Sequence, residues 1–208
     1  METEKIYNLM ILDESGSMDS IKKATIQGFN EVVQNIKGIQ QKFPEQQHYI
    51  SLVTFNGLGI KTILDKQPVT GLNLLNANSY KPDSMTPLYD AIGTSVLKLK
   101  NDISAVNNAT VLVTIITDGM ENDSSEFKGP QIKQLIENQQ AAGWTFTYIG
   151  ANQNVEYEAA HISISNTLTF FSHDEGVKEM FEKENQARQR FSQKIRNKEE
   201  KSNDFYKP

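Results

Sequence analysis

The residues of this chain whose types and spacing could do chemistry all carry oxygen. Asp13, Ser15 and Ser17 alternate in "DESGS", directly after the apolar run "KIYNLMILD". Thr86 stands before Pro87 in "SMTPLYDAI", and Asp118 follows "ATVLVTIIT" in "ITDGMEND". Two carboxylates and three hydroxyls form a hard, all-oxygen donor set. Such a set suits Mg²⁺ first, with Mn²⁺ or Ca²⁺ as alternatives. Each residue also has a plainer use. Ser15 or Ser17 could cap the helix that follows, Thr86 could cap the helix that opens at Pro87, and Asp118 before Gly119 could be a turn aspartate. A hydroxyl with two lone pairs can cap and coordinate at once.

The elements that would position these groups alternate. Lys5–Asp13 is apolar enough for a buried strand, and Ile21, Phe29, Val32, Ile36 and Ile39 recur at helical spacing in the stretch that follows. His48–Asn56 reads as a second strand and Gly59–Val69 as its antiparallel partner. Leu72–Met85 reads as a polar loop. A helix from Thr86, the strand Ala109–Gly119, a helix closed by Gly143, the strand Trp144–Asn152, a short helix at Glu156–His161 and a last strand from Thr167 complete the pattern. The expected class is therefore α/β: a doubly wound, mainly parallel sheet with helices on both faces. Asp13 and Asp118 each close an apolar strand, which puts them at the carboxyl edge where such sheets take ligands.

The final segment differs. Val177, Met180, Phe181, Ala187, Phe191 and Ile195 form an apolar stripe on a highly charged helix. The expected organisation is one domain over 1–174, an amphipathic helix over 175–197 packed on it, and a disordered tail over 198–208. The helix could instead bind a partner or a second copy, and the oligomeric state is left open.

Composition narrows the function. A chain of 208 residues with 38% hydrophobic content and mean hydropathy of -0.51 can bury a full core as a globular domain. Its net charge of -5 argues against general nucleic-acid binding. With no cysteine, disulfides, zinc ribbons and thiol catalysis are excluded. The opening "METEKIYNLMILDESG" places acids before a short apolar run that fits neither a signal peptide nor a membrane span, so a cytoplasmic location is expected.

The three motif segments together resemble the von Willebrand factor A domain family. Its metal-ion-dependent adhesion site reads Asp-x-Ser-x-Ser, then a distant Thr, then a distant Asp. The resemblance spans about Lys5 to Ser172, and "TDGMEND" with "GWTFTYIGAN" is similar to bacterial or phage-type intracellular members. It implies a Rossmann-like fold and roles for the five residues. Ser15 and Ser17 would bind the metal directly. Thr86 would bind directly in a ligand-ready state and through water otherwise, and Asp13 and Asp118 would hold metal-bound waters. Neutral hydroxyls leave the ion's charge poorly quenched, so a carboxylate from a partner's Asp or Glu would complete the coordination. The implied function is a metal-dependent protein-binding module.

Two other readings compete. A strand-end Asp beside Mg²⁺ also describes phosphoester hydrolases of the phosphoaspartate type, but those need a second Asp where this chain has Ser15. No phosphate-binding G-x-x-x-x-G-K-[ST] or G-x-S-x-G elbow is present, and His48, His161 and His173 are scattered. His173 follows a late strand, as a hydrolase base might, but no nucleophile accompanies it and no catalytic residue is assigned; the nearby acids Asp90, Glu121 and Asp123 read as solvated rim residues. The second competitor is a metal-free scaffold that binds through its C-terminal helix.

Overall fold

The structure, a computed structural model, describes residues 3–72, 74–151, 154–199 and 204–207. The elements run β1 (Glu4–Asp13), α1 (Lys22–Lys42), β2 (Gln46–Asn56), β3 (Gly59–Pro68), α2 (Leu88–Asp102), β4 (Ala109–Thr117), α3 (Gly129–Ala141), β5 (Thr145–Ala151), α4 (Val155–His161), β6 (Asn166–Phe170) and α5 (Asp174–Asn197). Six strands form one sheet in the order β3-β2-β1-β4-β5-β6. Among the described residues, only β3 is antiparallel to its neighbour. The expected doubly wound α/β architecture is the observed one. Asn152, the last residue of the expected fifth strand, lies outside the described residues.

Side-chain alternation along the central strands sorts them onto two cores. From β1, Leu9 and Ile11 pack with Ile92 and Val96 of α2, Ile132 and Ile136 of α3 and Val155 of α4. Met10 and Leu12 point the other way, to Phe29, Val32 and Ile36 of α1 and Val177 and Phe181 of α5. Both faces of β1 and β4 are covered, which is why these strands read as continuous apolar runs. The register pairs Leu12 with Ile116, so Asp13 and Thr117 end side by side at the carboxyl edge.

The C-terminal helix lies against this second core. Its contact with α1 is very close: a Cβ added to Gly28 would overlap the Phe181 ring. Beyond Phe181 the helix carries polar groups into the interior. Arg188 and Glu184, 2% and 0% exposed, form an ion pair at 2.8 Å. Arg188 also donates to Asn8 Oδ1 on β1 (2.9 Å) and to Thr114 Oγ1 on β4 (2.7 Å). Of the tail expected to be disordered, Phe205 is buried, its ring 5.6 Å from that of Phe191. The Tyr206 hydroxyl donates to Glu184 at 2.6 Å. The rest of that expectation, at residues 200–203 and 208, falls outside the described residues. Among the described residues no helix is long and apolar enough to cross a membrane.

Two outcomes follow. Gly28→Ala should destabilise the protein by about 1–3 kcal/mol through overpacking. Gly38→Ala, in the same helix with nothing within 4 Å of an added Cβ, should stabilise it by about 0.5–1 kcal/mol. Urea unfolding of both variants checks the pair. The second concerns His48 on β2, which is buried near Arg188. Burial, and then the Arg188 charge, push its pKa down to about 4. The unfolded chain binds a proton near pH 6.5 and the folded chain does not, so stability falls as pH drops from 6.5 towards 4. Between pH 7 and 5 the wild type should lose about 2 kcal/mol more than His48→Gln in urea unfolding.

Candidate metal centre

The five sequence-selected residues converge. Asp13 closes β1 and is fully buried. Its Oδ1 accepts from the Ser15 N–H (2.7 Å) and its Oδ2 from the Thr117 hydroxyl (2.6 Å). The chain then enters a 3-10 turn, Gly16–Ile21, before α1. Ser15 Oγ lies 3.2 Å from Ser17 Oγ, and Ser17 Oγ donates to Asp118 Oδ1 at 2.5 Å. Thr86 is brought in from the loop before α2. A Cβ on Gly119 would sit 3.1 Å from Thr86 Oγ1 and 3.9 Å from Asp13 Oδ2. Gly119 thus lets the Asp118 loop approach both other loops.

The plainer capping uses are not realised. Ser15 precedes the 3-10 turn without a side-chain capping bond. The first α-helix starts only at Lys22, with Ile21 in the cap position and no side-chain cap. Thr86 was also expected to cap α2, but that helix begins at Leu88 with Pro87 in the cap position and again no side-chain cap. Pro87 holds ψ at 64°, outside the helical range, and displaces the start by one residue. The hydroxyls of Ser15, Ser17 and Thr86 therefore remain turned to the cluster.

Electrostatics point the same way. Burial pushes the Asp13 carboxyl up to about 6, against the hydrogen bonds from Thr117 and Ser15, and the Asp118 charge adds to the rise. Burial also raises Asp118, with the Ser17 hydroxyl opposing. Neither carboxylate has a Lys or Arg partner among the described residues, so the cluster lacks positive charge. Oxygen ligands about 2.1 Å from an octahedral Mg²⁺ lie about 3 Å apart along an edge, close to the Ser15–Ser17 separation. The donor set therefore fits a hard divalent cation. Among the described residues no group of three or more His, Cys, Asp or Glu has metal-ligand proximity, and hydroxyls supply the majority of this set.

Several supporting residues were not singled out from the sequence. Glu14 is buried, accepts the Lys81 N–H and pairs with Lys61 at 3.4 Å. The Tyr80 hydroxyl donates to the Asp13 carbonyl at 2.6 Å. Together they hold the polar loop to the end of β1. Asn122 ties the third loop to the second: its Oδ1 accepts from Thr86 N (2.8 Å) and its N–H donates to Thr86 O (3.2 Å). Asp90 and Glu121, which read as solvated rim acids, are structural. Asp90 is buried and accepts from the backbone of Ser125, Glu126 and Phe127. Glu121 accepts from Tyr89, Asp123 and Ser124. His173, weighed as a hydrolase base, caps α5 by accepting from Gly176 N at 3.1 Å.

A doubly wound sheet with three oxygen-bearing loops at its carboxyl edge places the chain among open α/β domains that take ligands there. Within that class, residues 9–183 match the model of the von Willebrand factor type A domain, and the chain belongs to that family. Solved structures agree in fold. Proximal thread matrix protein 1 from the mussel byssus is 13% identical, with 86% of this chain and 45% of that one covered and a TM-score of 0.56. A von Willebrand factor type A protein from Catenulispora acidiphila is 15% identical, covering 88% and 42% with a TM-score of 0.55. The manganese-loaded TRAP protein of Plasmodium vivax is 15% identical, covering 86% and 72% with a TM-score of 0.51. The chain thus spans less than half the length of the first two. No curated protein matches the chain.

Mg²⁺ or Mn²⁺ should raise the melting temperature of the wild type, since a ligand of the folded state at 100 times its Kd adds about 2.7 kcal/mol. Asp118→Asn should lose that rise yet keep a cooperative transition. In chelator it should melt no lower than wild type, because it removes a charge that opposes the ionised form of Asp13. Thermal melts of both proteins with metal and with chelator check this.

Proposed function

We propose that the chain is a protein-binding module, not an enzyme, and that it captures an acidic residue of its partner at the carboxyl edge through a divalent cation, with Mg²⁺ first in order. The observation that carries the reading is the cluster itself: three hydroxyls free of capping duty, gathered with two carboxylates that have no cationic partner among the described residues. Asp13, Ser15, Ser17, Thr86 and Asp118 would hold the ion. When bound, it supplies a positively charged coordination position open to a carboxylate from outside.

The chain's own residues set the terms of that capture. Ser15, Ser17 and Thr86 contribute oxygen without charge, so two carboxylates are all the negative charge the cluster offers a divalent ion. Asp13 is fixed by Thr117 and the Ser15 N–H and cannot swing towards solvent. Ser17 and Asp118 lie at the outer side, where Ser17 is exposed and Asp118 partly so. A partner carboxylate meeting this edge gains a contact far stronger than an exposed ion pair, which is worth about 0–1 kcal/mol. Family membership and a manganese-loaded relative of the same fold support the reading. An intracellular setting of the bacterial or phage type, in the cytoplasm, belongs to the same proposal.

The test is capture of proteins from the native organism's extract with Mg²⁺ or with chelator. Proteins retained by the wild type in Mg²⁺ should be released by chelator and lost by Ser15→Ala combined with Ser17→Ala. Retention of the same proteins in every condition would refute the ion as the bridge and favour the surface of α5.

A further inference from the structure

The loops around the cluster carry more than ligands. Six large apolar side chains are exposed among the described residues, and three of them stand on these loops: Leu58 (72% exposed), Met85 (49%) and Met120 (60%). Met85 and Met120 are each one residue from an atom that builds the centre, and Leu58 is tied to Met85 through Gly57. Met120 follows Gly119, whose missing Cβ makes room for Thr86 and Asp13. Met85 precedes Thr86. Leu58 follows Gly57, whose N–H donates to the Met85 carbonyl at 2.9 Å. Asn122 laces the Met120 loop to Thr86. The three side chains therefore share one surface with Ser17 and Asp118.

Burial gives no reason for them to be apolar, since water covers about half or more of each. Exposed apolar groups gathered round a polar centre mark an interaction surface. Two of the three are methionines, whose unbranched, polarizable side chains adapt to differently shaped apolar partners. The charge on the segments that carry them is one-sided, with Lys61 and Lys81 at their border. Segments 57–58, 83–86 and 118–123 contain Asp83, Asp118, Glu121 and Asp123 and no Lys or Arg. A Cβ on Gly57 would lie 3.0 Å from Asp123 Oδ2, so this acid borders the Leu58 turn. Lys61, on the neighbouring strand, is engaged by Glu14.

Resting on the function proposed above, we infer that the partner presents a single Asp or Glu flanked by apolar side chains, with basic residues beyond them. One carboxylate matches the cluster, the flanking groups cover Leu58, Met85 and Met120, and the acidic rim repels any further acid while favouring Lys or Arg. This separates the occupant from a small free carboxylate, which would leave the apolar rim wet, and from a polyacidic segment, which the rim would reject.

Methionine methyl NMR tests it, because Met10 and Met180 are buried away from these loops and serve as internal references. The probes are capped pentapeptides: Lys-Leu-Asp-Leu-Lys, Glu-Leu-Asp-Leu-Glu, Lys-Gly-Asp-Gly-Lys and Lys-Leu-Asn-Leu-Lys, with acetate as a fifth. In Mg²⁺ the first should shift the Met85 and Met120 methyls and leave the references in place. It should bind at least tenfold more tightly than each of the others. The variant Leu58→Ser with Met120→Ser should keep its Mg²⁺-induced amide shifts at Ser15, Ser17 and Thr86 but bind the leucine and glycine peptides equally. If Mg²⁺ produces those amide shifts and the wild type binds the peptides equally, binds none, or binds acetate as well as the first peptide, the inference is overturned and the metal site stands. Methyl shifts that depend on protein concentration and not on peptide also overturn it, in favour of a second copy of the chain. If Mg²⁺ leaves the amides of Ser15, Ser17 and Thr86 unchanged, the metal-dependent function fails and the inference fails with it.

Discussion

A carboxylate sealed from water is expensive unless something compensates its charge, and Asp13 is such a carboxylate. The organisation of the sheet's carboxyl edge follows from that constraint. Thr117 and the Ser15 N–H supply two hydrogen bonds, and the Tyr80 hydroxyl takes the backbone carbonyl of the same residue. None of these brings a full positive charge, and the charge that acts on it from Asp118 has the same sign. The edge is therefore built with a deficit of positive charge at its centre. Three loops from distant parts of the chain are held at that point by bonds that leave hydroxyl oxygens turned inwards.

Holding loops to such tolerance requires a stiff support, and the sheet provides it. β1 and β4 are covered on both faces, so the ends that carry Asp13 and Asp118 are fixed by packing. The loops themselves are tied by carboxylates: Glu14 binds the backbone of the Lys81 segment, Glu121 that of Tyr89 and Ser124, and Asp90 that of Ser125 to Phe127. Of the acids near the cluster, these three serve as backbone acceptors, which leaves Asp13 and Asp118 as its charged members.

Much of this was legible in the sequence. Apolar strands ending in Asp, alternating with periodic helices, specify a parallel sheet and the edge at which the aspartates meet. The alternating hydroxyls after Asp13 identified the loop. Other features have no one-dimensional signature. A carboxylate that accepts backbone N–H groups and one that faces solvent look alike in sequence, so Asp90 and Glu121 read as surface acids. Glu14 falls at a position that the Asp-x-Ser-x-Ser pattern leaves unspecified, and the backbone N–H it accepts comes from Lys81, far along the chain. The start of α2 was misplaced because Thr-Pro reads as a cap followed by a first helical residue, whereas Pro87 here adopts a non-helical ψ. Phe205 lies in a polar tail, and only the three-dimensional position of Phe191 gives it a place to pack.

The buried ion pair of α5 bears on how such a domain is inherited. The stretch that matches the family model ends at residue 183, yet Glu184 and Arg188 fall after it. Arg188 reaches Thr114, on a strand well inside the matched stretch, and Asn8, one residue before that stretch begins. The matched stretch is therefore not by itself the portion that closes this interior. Grafting the matched stretch alone into another protein would leave Thr114 without the guanidinium that it accepts from. A substitution at Asn8 or Thr114 would thus be felt by the terminal helix, and one at Arg188 by the two strands.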